Sequence, residues 1–110
     1  QLLERGGVLK RKTTTSKAYE LYALPGGPPE RPGLVEAVKG GAEIQVEVWE
    51  IISSTVGSFL AGIPKPLGLG SIRMADGSVK QGFICEGIGI IGAQNVTKFG
   101  GWRAYLESKV

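Results

Sequence analysis

Glu47 and Glu86 are the carboxylates of this chain best placed for acid–base chemistry. Glu47 lies inside the run Ala42–Ile52, and Glu86 closes the run that ends Phe83-Ile84-Cys85. A carboxyl group in an apolar pocket resists ionisation and serves as a general acid. The competing fate of each is a solvent-facing strand position or an ion pair. Tyr22 offers a hydroxyl to a ligand, or sits in the core with that hydroxyl satisfied. Arg31 stands in a loop able to approach a cavity mouth, where a guanidinium suits bidentate carboxylate binding. Arg31, Lys65, Arg73 and Arg103 are equally explained as solvated surface cations. Gly68 and Gly70 follow Pro64 and Pro66 in a stretch that joins fixed φ to free φ. Such a crossover is rigid, and its amides either form an anion nest or simply serve a turn. Gly87–Gly92 lacks the strand-to-helix context of a phosphate loop and reads instead as a twisted loop packing Ile88, Ile90 and Ile91 into the core. Trp49 and Trp102 read as packing or interface residues, and Cys85, with no His or Lys partner in sequence, as a buried thiol.

Composition narrows the class. At 110 residues the chain makes one domain, residues 1–110, with a modest core. Eighteen glycines exceed the usual share of roughly 7% and have no period, so many turns and close backbone contacts are expected. The net charge of +3 owes much to Lys10, Arg11 and Lys12. That run is polar and free of aromatics, which suits a solvated edge or loop rather than a nucleic-acid platform. A lone cysteine and the absence of histidine leave no disulfide and no metal framework, so neither metal nor cofactor is expected. With no apolar run near the roughly 18 residues of a membrane span and no visible signal peptide, a cytoplasmic location is expected. The start at Gln1 suggests a fragment or a processed chain.

The elements that must position these residues are short. Tyr19–Leu24 reads as a strand that stops at Pro25. Residues 25–32 read as a loop barred from a central ladder by its prolines, and Leu34–Val38 as a short strand. Ala42–Ile52 is the strongest strand pattern, with Ile44, Val46 and Val48 on one face and Glu43, Gln45, Glu47 and Trp49 on the other. Ser53 or Ser54 caps a helix running to about Gly62, with Val56, Phe59, Leu60 and Ile63 at helical spacing. Leu69–Met74 and Ser78–Cys85 flank Ala75-Asp76-Gly77, a strong hairpin signal. Trp102–Leu106 makes a short amphipathic helix after Gly100-Gly101. The expected class is α+β: a small curled mixed β-sheet or barrel with one or two short helices.

Several stretches, in this order, resemble the C-terminal domain of allophanate hydrolase, which is itself similar to the γ-glutamylcyclotransferase fold. They are residues 19–26 (Tyr19 to Gly26), 31–34, 44–49 (Ile44 to Trp49), 63–70 (Ile63 to Gly70), 75–86 (Ala75 to Glu86) and 99–106 (Phe99 to Leu106). The last three are the most specific, and together they span nearly the whole chain. Members of that family carry a first strand and a Gly- and His-containing loop ahead of the region matching Gln1–Gly6, and that segment is expected to be missing here. Where cyclotransferases carry a catalytic Glu after the helix, this chain has Gly62-Ile63-Pro64-Lys65-Pro66, which argues against glutamyl cyclisation.

The resemblance implies an enzymatic role in urea degradation divided between domains. An upstream amidase domain of the same parent chain, of the Ser-Ser-Lys type, releases ammonia from allophanate. The C-terminal domain then promotes loss of CO2 from N-carboxycarbamate. That chemistry needs two carboxylates held and one proton delivered to nitrogen. On this reading Glu47 and Glu86 are the candidate catalytic residues, and Tyr22, Arg31, Gly68 and Gly70 the candidate substrate-binding residues. A homo-oligomer, a dimer, is expected, with a small-molecule substrate and no nucleic acid or membrane partner. The alternatives are a non-catalytic scaffold that supplies an oligomer interface, and an independent small-ligand-binding protein sharing the fold.

Overall fold

A computed structural model describes residues 7–26, 30–50, 57, 60–62 and 67–109. Seven strands form three antiparallel sheets: β1 (Val8–Thr14) with β4 (Gln45–Glu50), β2 (Tyr19–Leu24) between β3 (Arg31–Glu36) and β7 (Gln94–Asn95), and the hairpin β5 (Leu67–Arg73) with β6 (Val79–Cys85). The sheets do not close into a barrel, which decides between the two architectures left open by the sequence.

β2 is central, paired with β3 on one edge and β7 on the other, and its alternate residues Tyr19, Leu21 and Ala23 are all buried on one face. Leu21 pairs with Leu34, and Ala23 with Pro32. The strand expected over Leu34–Val38 therefore runs from Arg31 to Glu36 instead, and Val38 is fully exposed. Pro32 joins the ladder after all, because β3 is an edge strand of its sheet and an edge position tolerates a missing donor.

The basic run Lys10–Lys12 is a solvated edge as expected, but it belongs to a strand and not to a loop. β1 pairs with β4 from Val8↔Glu50 to Thr14↔Gln45, with a register shift between Leu9 and Arg11. The regular part of β4 is shorter than the expected run Ala42–Ile52. Ala42 bridges to Tyr19 rather than extending β4, and Ile51 and Ile52 lie outside the described residues. The β5–β6 hairpin forms around Asp76-Gly77 as expected. Gly77 takes a φ of 88°, and Asp76 Oδ1 accepts from the Ser78 amide at 2.9 Å and the Ser78 hydroxyl at 2.6 Å. Of the helix expected from Ser53 or Ser54 to Gly62, Gly57, Leu60 and Ala61 are helical; Ser53, Ser54, Val56, Phe59 and Ile63 lie outside the described residues.

Thr15 ties the sheets together. It is completely buried, its N–H donates to Ile44 O at 2.9 Å, and its Oγ1 accepts from Ile44 N at 3.0 Å. It also bridges to Met74 at the end of β5. Around this junction lie Tyr19, Leu21, Leu34, Ile44, Ile72, Met74, Val96 and Tyr105, the core of the domain.

Ile88 and Ile91 are not in that core: they are 74% and 73% exposed. Gly87–Ile90 is a 3-10 turn, closed by Gly89 N–H to Glu86 O at 2.8 Å. At three residues per turn, Ile88 and Ile91 eclipse one another on a single side, and that side faces out. Ile90 is half-buried, and the interior position is filled by Val96 instead.

The C-terminal helix (Trp102–Ser108) closes the fold. Its buried face is Tyr105, which meets Phe99 edge-on at 5.5 Å and Trp102 at 5.1 Å between ring centroids. Gly100 O accepts from Gln45 N at 2.7 Å, which fastens the start of the helix to the start of β4.

Candidate functional site

A wide groove of about 1840 Å³ runs between the β1–β4 sheet, the β5–β6 hairpin, β3 and the C-terminal helix. It exceeds the roughly 300–1,000 Å³ of a typical ligand pocket, so a small ligand would occupy one part of it. Among the described residues its charged lining is lopsided: Lys10, Arg11, Lys12, Arg31, Lys80 and Arg103 face Glu47 and Glu50. Three of those cations are already paired: Lys10 with Glu50 at 3.7 Å and Arg103 with Glu47 at 3.4 Å within the lining, and Arg11 with Asp76 at 3.1 Å outside it. Low-dielectric walls focus such a field and raise the local concentration of anions.

Strand alternation puts Glu47 and Trp49 on one face of β4, as expected. There the Trp49 indole N–H donates to Glu47 Oε1 at 3.1 Å. Arg103, one helical position beyond Trp102, donates to Glu47 Oε2 at 3.4 Å. Each oxygen of the carboxylate thus takes a donor from a different element. Arg31, which opens β3, also lines the groove. Its neighbour Glu30 accepts from the Tyr105 hydroxyl at 3.1 Å and from Lys109, so the chain entering β3 is fastened to the helix that carries Arg103. The Lys109 ammonium, and then the Tyr105 hydroxyl, hold the Glu30 carboxyl below its ordinary pKa.

The other expected site residues are dispersed. Glu86 is exposed, just before the 3-10 turn. It belongs to a different part of the fold from Glu47, and no hydrogen bond or ion pair among the described residues joins the two. Tyr22 is half-buried in β2, and its hydroxyl donates to Glu20 at 3.3 Å. Burial first, and then the Glu20 carboxylate, push the Tyr22 pKa above its ordinary value. Gly68 and Gly70 are extended residues of β5, paired with Ile84 and Gly82. A Cβ on Gly70 would stand 2.5 Å from Ile84 Cδ1, so close side-chain packing accounts for that glycine. Cys85 is buried as expected, and burial raises its thiol pKa. Among the described residues no group of three or more His, Cys, Asp or Glu stands together as a metal site. No described helix is long and apolar enough to cross a membrane.

Sequence reasoning counted Arg103 only as one surface cation of four and missed Lys12 and Lys80. The signal for Arg103 was the pair Gly100-Gly101, which lets the helix start press against β4 and so delivers the guanidinium to Glu47.

Residues 1–107 match the family described as the allophanate hydrolase C-terminal domain. A urea amidolyase of Saccharomyces cerevisiae is 42% identical over 86% of this chain, which spans 5% of that protein. An allophanate hydrolase of Kluyveromyces lactis superposes with a TM-score of 0.95 at 38% identity, over 99% of this chain and 18% of that one. A uropathogenic E. coli-specific protein superposes with a TM-score of 0.88 at 28% identity, and there the match covers 81% of the solved chain. The chain therefore corresponds to a small part of the urea amidolyase and allophanate hydrolase it resembles, and to most of the bacterial protein.

Proposed function

The chain belongs to the allophanate hydrolase C-terminal domain family, and from that premise we propose that it promotes the decarboxylation of N-carboxycarbamate in urea degradation. The observation that carries this reading is the groove, whose cations outnumber its carboxylates and so suit a small dianion. In the step, the bond between nitrogen and one carboxyl carbon breaks, its electron pair stays on nitrogen, and CO2 leaves. Nitrogen gains one proton, leaving carbamate, which takes up a second proton from water as it decomposes to ammonia and a second CO2. Arg31 and Arg103 bind the substrate carboxylates, and Glu47, whose carboxylate first takes a proton from solvent, passes that proton to the leaving nitrogen, since an acid positioned there lowers the barrier. Glu86, Tyr22, Gly68 and Gly70 remain secondary candidates for acid and binding roles. The partner is an amidase domain earlier in the parent chain, which releases the first ammonia from allophanate, and the location is cytoplasmic. No cofactor takes part.

The test is a coupled assay on the full-length parent, with and without this domain, counting ammonia and CO2 per allophanate. Delayed CO2 and second ammonia on deletion support decarboxylation; unchanged rates and ratios overturn it. A second reading rests on the outward pair Ile88 and Ile91. Under it the domain is a scaffold whose apolar turn contacts a second copy in a homodimer, and deletion changes the assembly while ammonia yield stays constant.

A further inference from the structure

We propose that Arg103 and the Trp49 indole form a carboxylate-binding pair, that Glu47 occupies it in the resting domain, and that one substrate carboxylate displaces Glu47. The inference rests on the decarboxylation reading and adds how the groove discriminates a dianion.

Trp49 Nε1 and Arg103 Nη2 reach the two oxygens of one carboxylate at 3.1 and 3.4 Å. A planar carboxylate accepting from two separately held N–H groups is the arrangement that binds a carboxylate ligand. The backbones that carry both donors are held by the fold, although the Arg103 side chain itself is largely exposed. Trp49 lies on β4 within the β1–β4 ladder, and Arg103 projects from a helix fastened to β4 through the Gln45–Gly100 bond at 2.7 Å. Glu47 is the movable partner, a side chain two residues before Trp49 on the same strand.

The resident pair is weak enough to exchange. The Arg103 side chain is 73% exposed and Glu47 35%, and ion pairs this open contribute little. A monocarboxylate offers the pair nothing that Glu47 lacks. A dianion with carboxylates one atom apart brings a second charge for Lys12, which stands directly across the ladder from Glu47 and also lines the groove. Self-occupancy therefore acts as a filter: single carboxylates compete poorly, and dicarboxylates win by their second contact.

Malonate tests the inference, because it replaces the nitrogen of N-carboxycarbamate by carbon and does not lose CO2 under mild conditions. The 110-residue chain is titrated with malonate and with acetate, reading affinity by calorimetry and the Trp49 indole N–H by nuclear magnetic resonance. Glu47→Gln removes the competing charge and is expected to tighten malonate about fivefold, the factor equal to the roughly 1 kcal/mol upper worth of an exposed pair. Arg103→Met is expected to weaken malonate about tenfold and to cancel the gain when combined with Glu47→Gln. The acetate affinity of the parent chain stays well below its malonate affinity. Malonate binding that is absent, unchanged or weakened by Glu47→Gln overturns the inference, as does an indole signal that ignores malonate. Failure of decarboxylation itself is read separately, from CO2 release by the full-length parent: tighter malonate binding without CO2 acceleration would leave the carboxylate pair standing and sink the catalytic role.

Discussion

Gly101→Ala probes the contact that brings Arg103 to the groove. Gly101 is buried with φ 175° and ψ 162°, an extended conformation open to any residue, so backbone strain does not explain it. Space does: a Cβ there would stand 2.9 Å from Gln45 Cβ and 3.0 Å from Gln45 Oε1. Carbon atoms pack best at about 3.5–4.0 Å, so the helix start must retreat by at least about 0.6 Å. The Arg103–Glu47 contact, already 3.4 Å, would then open to about 4 Å, the outer limit of an ion pair. Overpacking of this kind costs about 1–3 kcal/mol. Replacing Gly by Ala also restricts the unfolded chain, which returns about 0.4–1 kcal/mol. The expected net loss is about 0–2.6 kcal/mol, centred on about 1.3 kcal/mol, a fall in Tm of up to roughly 11 °C for a domain of this size. Urea unfolding in two backgrounds isolates the cause. With Gln45→Gly the obstructing Cβ is gone, and Gly101→Ala should become neutral or stabilising. Equal destabilisation in both backgrounds, or none in either, would refute the steric account.

Thr15→Val keeps the volume of the junction residue but leaves the buried Ile44 amide without its side-chain acceptor, so a loss of about 1–3 kcal/mol is expected in urea unfolding. Thr15→Ser, which keeps the acceptor, should lose less, and the reverse ranking would show that packing dominates there. Ile44→Ala should cost about 2–5 kcal/mol, whereas Ile88→Ala and Ile91→Ala should stay within about 0.5 kcal/mol, as their opposite burial demands. Asp76 has its pKa lowered from 3.8 to about 2, by the Ser78 hydroxyl, then the Ser78 amide, then Arg11. Because the folded value lies below the unfolded one, its stabilising contribution is fully present above about pH 4 and is lost as pH falls through about 2. Acid unfolding of Asp76→Asn should therefore lack that part of the parent's slope between pH 4 and 2, and identical slopes would count against the linkage.

What the sequence disclosed depended on how one-sided each element's burial is. β2 and the Asp76-Gly77 hairpin were legible because alternation and turn chemistry are local signals. β1 was not, because Val8–Arg11 are all exposed and nothing apolar alternates through Lys10–Lys12. Pro32 misled for a related reason: proline bars a residue from a central ladder, and only the strand order reveals that β3 is an edge. The isoleucines of Gly87–Gly92 misled because hydrophobicity says nothing about the period of a short turn, and a three-residue period sends Ile88 and Ile91 outward together.

The candidate site was legible only on the strand that shows its own face. Glu47 and Trp49 could be placed together because alternation along β4 is intrinsic to the strand. Arg103 is 56 residues away from Glu47 in sequence, and only the helix docked through Gly100 and Gly101 joins them. The same docking distinguishes Glu47 from Glu86. Both are glutamates at apolar strands, with equal claims when read as sequence. Both side chains are exposed in the fold, but Glu47 lines a cationic groove with two N–H donors on its carboxylate, while Glu86 stands before a turn and outside that lining. On the proposed reading the acid sits where anions are drawn, and of the two glutamates it is Glu47 that lines the groove. Glu86→Gln should therefore leave CO2 release by the full-length parent unchanged while Glu47→Gln slows it, and the opposite result would move the chemistry out of the groove.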